Sequence, residues 1–182
     1  MSVRVRIVAE RQRTEKVTNM KRTFSLTLGM IALSVPTFAG DVLKPADQRF
    51  ADENVKETPS FQRHVLPLMG RRGCNGRACH GSFQGQGGFR LSLFGYDFKA
   101  DHDALLKGDN PRVDTESATD SMILEKSTLG TPHKGGKRLE LRSWQYRIIE
   151  KWVEAGAKPV TDDDPHFVKL EVTPTEIVFK KP

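Results

Sequence analysis

Cysteine is scarce in this chain: there are two in 182 residues, alongside two Trp and two Tyr. One thiol pair excludes a disulfide-dense scaffold. Without a second C-x-x-C or an H-x-x-x-H run, it also leaves a four-ligand zinc site short of donors. Long apolar runs are missing too. The longest, Phe24 to Val35, is about a dozen residues, short of the roughly 20 that a membrane-spanning helix requires. No internal repeat is visible, which removes solenoids and propellers. A charge excess is missing from most of the chain as well. The formal net charge is +6, but residues 1–39 hold seven Lys/Arg against Glu10 and Glu15, so the chain from Gly40 onward is close to neutral. A nearly neutral body offers no electrostatic footprint for nucleic acid.

The N-terminal stretch has the layout of an export signal. In "MKRTFSLTLGMIALSVPTFAG" a basic start at Lys21 and Arg22 precedes the apolar run, and small residues lead to cleavage after Ala39. Residues 1–39 are therefore read as a signal peptide with an over-long N-terminus, Met20 being an alternative start. The mature chain is expected in an exported, periplasmic or otherwise oxidising compartment, with no membrane span after cleavage. Residues 40–57 are polar without sustained period and read as a linker, so the folded part is expected to begin near Phe61.

Fifteen Gly and ten Pro predict a small helical domain with much loop. Phe61, Val65, Leu68 and Met69 share a helical face behind Ser60 as N-cap, with Pro67 expected to kink or shorten the helix. Phe89, Leu91 and Leu93 alternate with polar residues as a short extended segment. Asp101 to Lys107 and "SMILEKS" predict short helices. The clearest element is "SWQYRIIEKWVEAGAK", where Trp144, Ile148 and Trp152 recur at every fourth place between Ser143 as cap and Gly156 as stop. Beyond it, "VKLEVTPTEIVF" alternates as a strand, a turn and a second strand start. One or two strands do not form a stable sheet alone, so residues 165–182 are expected to open a further, incomplete domain or to dock on the first.

Both cysteines lie in "GCNGRACHGS", with a histidine directly after the second. A disulfide between Cys74 and Cys79 would close a loop of only four intervening residues, and short loops gain little entropy on closure. A zinc site on both thiols and His80 needs a fourth ligand. A third reading is covalent haem, two thioethers fixing the porphyrin and His80 supplying the proximal nitrogen; the attachment signature C-x-x-C-H is here stretched to four residues between the cysteines. For the opposite face of the iron, Met69 and Met122 sit among core residues, Met122 being the reserve candidate. His64 and His102 are read as solvated surface histidines, and His166 lies beyond the last helix. His133 stands in a loop stiffened by Pro132 and opened by Gly135 and Gly136, just before the last long helix, and is the favoured distal ligand. Asp97, Asp101 and Asp103 are spaced for a turn and a helix start, which sets aside a calcium loop.

The order of "CNGRACHGS", "GQGGFRLSLFGYD", "TPHKGGKRLE" and the closing "W-x-x-x-G-A" resembles the planctomycete-type cytochrome c-like domain at the front of large exported proteins. The resemblance covers about residues 58–160. It implies a mainly α, cytochrome c-like fold around a haem with a short β-type tail. Haem c and its iron would be carried by Cys74, Cys79, His80 and His133. "LEVTPTEIVF" is similar to the first strands of a bacterial Ig-like module. The function so implied is one-electron transfer by a mono-haem domain with a redox partner protein, as the electron-transfer part of a larger protein more than a stand-alone enzyme. Where many relatives of the broader family place a methionine before the last helix, this chain offers His133, and bis-histidine ligation lowers the potential relative to Met/His. The alternative is a haem-free, disulfide-stapled exported module attached to Ig-like domains.

Overall fold

In the computed structural model the described residues are 4–10, 43–164 and 166–173. The expected signal run, its cleavage site and the second strand start of the tail lie outside them. The chain forms two units, Lys44–Asp162 and a second made of Met1–Leu43 with Asp163–Pro182. Within the second unit, β1 (Arg4–Glu10) pairs antiparallel with β2 (His166–Thr173), Arg4 opposite Thr173 and Ile7 opposite Leu170, with a register shift between Val8 and Ala9. The tail strand therefore finds a partner at the far end of the chain, in a segment where Val3, Val5 and Ile7 alternate with Arg4 and Arg6. Cleavage after Ala39 would remove that partner.

The helical unit carries α1 (Ala46–Arg49), α2 (Leu66–Arg71), α3 (Phe98–Leu106), α4 (Met122–Thr128) and α5 (Trp144–Glu154). It is mainly α, and among the described residues no helix is long and apolar enough to cross a membrane. The expected kink at Pro67 is resolved one turn earlier. Ser60 caps by accepting from the Arg63 N–H, and Phe61–Val65 form a wide π-turn in which the Leu66 N–H reaches Phe61 O. The extra residue of that turn admits a proline that lacks the N–H and would clash in a regular helix.

The linker expectation for residues 40–57 needs correction from Lys44 onward. Phe50 is fully buried, and Arg147 on α5 donates to Phe50 O at 3.0 Å and to Ala51 O. One large aromatic in an otherwise polar run is enough to anchor it, because burying such a ring contributes about 1.5–3 kcal/mol.

Ser143 caps α5 as expected, accepting from the Tyr146 N–H, and Gly156 at φ +85° ends it. Ile148, Ile149, Trp152 and Val153 form its buried stripe, and Trp152 stacks on Phe61 with ring centroids 5.3 Å apart. Phe98, Asp101, His102 and Leu105 make the inner face of α3, where Leu105 is fully buried. Asp97 caps this helix on the Ala100 N–H, while buried Asp101 accepts from the Ser92 N–H at 2.5 Å and Oγ at 2.7 Å. Through Ser92, the Asp101 carboxylate holds the chain entering the Leu93–Gly95 turn against α3.

His64 and His102 contradict the surface reading: both are buried. His64 accepts the Ser60 N–H at Nδ1, and its Nε2 lies beside Arg49 and Glu57, which are themselves ion-paired. His102 donates from Nε2 to Ala157 O at 2.7 Å and sits edge-on to Phe61 and Trp152. Burial first, and then the Arg49 charge, pull the pKa of His64 down from 6.5 to about 4, so its ring is neutral at pH 7.

Candidate haem cavity

The end of α2 fixes the first cysteine. Gly73 takes φ +77°, the Cys74 N–H reaches back to Met69 O at 2.9 Å, and the Gly73 N–H to Gly70 O at 3.0 Å. This paired closure of a helix C-terminus favours glycine at the left-handed position, and it sets Cys74 immediately beyond the last turn. The loop then coils on itself, with the Cys79 N–H donating to Gly76 O and the His80 N–H to Cys74 O. A Cβ at Gly81 would stand 2.1 Å from Asn75 O, so the glycine after His80 is a steric requirement. Neither Gly81 nor the buried Asn75 was singled out from sequence; the signal was the G-x-x-C-H-G spacing around the pair.

The extended segment expected at Phe89 to Leu93 serves His80. The His80 carbonyl accepts the Leu91 N–H at 2.8 Å, and its Nδ1 meets Phe89 O at 3.0 Å. Gly85 at φ +69° makes this turn possible, since a Cβ there would meet Phe89 O at 2.0 Å. On the other side, Arg138 and Leu139 donate backbone N–H groups to Ser127 O at the end of α4, and Lys126 Nζ donates to Pro132 O. These bonds hold the loop in which His133 Nδ1 meets Gly136 O at 3.0 Å.

A carbonyl oxygen can only accept, so Nδ1 is the donor in both bonds, and in a neutral imidazole held this way Nε2 is the nitrogen with the lone pair. The two rings lie nearly parallel, 11° apart, with centroids separated by 6.3 Å. Two imidazoles on opposite sides of one metal, at bonds of about 2.0 Å and with the bonding nitrogens facing each other, would place their centroids about 6 Å apart. The hydrogen bond from the second ring nitrogen to a carbonyl is the usual support for such a ligand.

Cys74, Cys79, His80 and His133 all line one cavity of about 740 Å³, within the roughly 300–1,000 Å³ typical of cofactor sites. Leu68 and Met69 of α2 and Ile149 of α5 form walls, as expected of the two helices that flank the site, and Met122 and Ile123 of α4 add a third. Both cysteines are half-buried free thiols. Burial raises the Cys74 thiol pKa, with Arg138 opposing. His80 is held below its ordinary pKa by burial, partly offset by its hydrogen bond to Phe89.

The other sequence candidates are placed elsewhere or engaged. Met69 lines the cavity but is buried in the core. The Met122 sulfur accepts from Arg112 Nη1 at 2.8 Å. His64 and His102 are not among the lining residues. His166 belongs to β2 in the other unit. Asp103 is ion-paired with Lys99 and Lys107. Among the described residues, no three His, Cys, Asp or Glu side chains gather as a metal-chelating group; covalent haem asks only for axial nitrogens and two thiols.

No family model, no curated protein and no solved structure matches this chain.

Proposed function

We propose that the Lys44–Asp162 unit is a mono-haem c-type cytochrome domain that carries single electrons, and that it works as an exported protein. The observation that carries this reading is the His80–His133 pair: two parallel imidazoles 6.3 Å apart, each with Nδ1 tied to a backbone carbonyl, in one cavity with both thiols.

Cys74 and Cys79 would hold the porphyrin as thioethers, and His80 and His133 would supply nitrogen ligands to its iron. The haem iron supplies the one-electron chemistry when bound, and the protein sets its potential through ligands, hydrogen bonds and burial. The Phe89 and Gly136 carbonyls orient the imidazoles and raise their basicity. Two histidine ligands would favour the ferric state and lower the potential relative to a His/Met pair. Leu68, Met69, Ile123 and Ile149 line the cavity and would supply an apolar wall that excludes water.

In this reading the redox partner is another protein. The test is a pyridine haemochrome assay on protein made in a host that attaches haem, beside Cys74→Ser and Cys79→Ser. The expected result is a c-type spectrum in the wild type and, in a variant with both Cys74→Ser and Cys79→Ser, non-covalent, extractable haem or none. A colourless wild type beside a loaded control cytochrome would end the haem reading in favour of the disulfide-bridged module.

A further inference from the structure

A haem is apolar over its ring, and its two propionates leave from the edge opposite the two vinyl carbons to which cysteines bond. The cavity has a matching asymmetry of charge. Among the described residues that line it there is no Asp or Glu, yet five cations do so, and none of the five is in an ion pair.

The five are not equivalent. Arg138 Nη1 donates to Arg72 O at 3.3 Å, and a Cβ at Gly73 would lie 4.0 Å from the same nitrogen, which places this pair of arginines at the Cys74 end. The cations that act on the Cys74 thiol are Arg138 and, more weakly, Arg72. Lys126 is tied to the Pro132 carbonyl, and Lys134 is exposed on the His133 loop. Arg112 is placed by aromatic contacts on the His80 side of the cavity. Its guanidinium lies over the Phe89 ring at 5.1 Å, and Phe89 in turn packs edge-on against His80 at 4.8 Å. Among the described residues, the one acceptor it meets is the Met122 sulfur, a weak one. A planar fork oriented on an aromatic face, with N–H donors left over and no carboxylate beside it, is suited to a carboxylate ligand.

We infer, resting on the haem reading above, that Arg112 is the residue that binds a haem propionate and makes the cavity selective for a porphyrin dianion. Phe89 and Met122 hold the guanidinium in place before the ligand arrives. The arginines at Cys74 have a different task, beside the thiol.

The test uses the full chain made without haem attachment, its thiols kept reduced, titrated with ferric protoporphyrin IX and with its dimethyl ester. The wild type should bind the diacid about tenfold or more tightly than the diester, the range of a charge-assisted hydrogen bond. Arg112→Gln should lose that preference while binding the diester as the wild type does, and Arg138→Gln should keep it. Arg112→Lys retains the charge without the fork and should keep part of the preference, so the readout survives if the neutral variant is unstable. Equal binding of both ligands by the wild type would overturn the inference, as would a preference that persists in Arg112→Gln. A wild type that binds neither porphyrin would remove the haem reading itself, a separate outcome that takes this inference with it.

Discussion

Four histidines of the helical unit lie wholly or partly buried, and they fall into two pairs. His64 and His102 are enclosed by core rings and backbone: His64 between Phe50 and the Arg49–Glu57 pair, His102 between Phe61 and Trp152. His80 and His133 are half-buried around a hollow, each tied to a carbonyl by one nitrogen, with the other nitrogen's lone pair uncommitted by that bond. Burial alone therefore does not mark a functional histidine. Which nitrogen is spoken for, and what the other can reach, separates a core ring from a ligand.

The largest effect that sharpens this contrast is on stability. His64 has a folded pKa near 4 against 6.5 unfolded, so between those values the unfolded chain binds a proton that the folded chain refuses. Stability from this group is present above about pH 6.5 and lost as pH falls toward 4, a swing of about 2–3 kcal/mol. Urea unfolding at pH 7 and pH 4.5 should show most of that loss in the wild type and much less in His64→Gln. Parallel losses in the two proteins would mean that His64 is not held neutral by its surroundings.

A smaller change in stability but a larger one in ligation is expected of Gly135→Ala. The new Cβ would stand 2.7 Å from His133 Cε1, so the ring must turn or the loop must shift. The loop is partly exposed, and the cost in folding should stay near or below about 1 kcal/mol. The low-spin fraction of the haem-loaded protein should nevertheless fall, read from its absorption spectrum. An unchanged spectrum would show that His133 is placed by something other than the space beside Gly135.

Some of this was legible in the chain itself. The capped α5, the cysteine pair with its histidine and the glycine-flanked His133 are local patterns, and Ser143, Gly156 and Gly73 act in the structure as residues of their type do. His64 and His102 were misjudged from their polar neighbours, although their spacing was informative: His64 is three residues after Phe61, and His102 three before Leu105, on the inner faces of their helices. The burial of Phe50 and the pairing of β1 with β2 depend on partners about 100 and 160 residues away, and no local period encodes such contacts. The turn that sets the Phe89 carbonyl on His80 was visible only as a glycine-rich run.

The central claim is that His80 and His133 share one iron, and the most direct measurement is the absorption spectrum of the haem-loaded wild type beside His133→Ala. The account predicts a low-spin, six-coordinate spectrum in the wild type that becomes high-spin in the variant while the haem stays covalently attached. A variant that remains low-spin with unchanged bands would contradict it, and would return Met122 to consideration as the distal ligand.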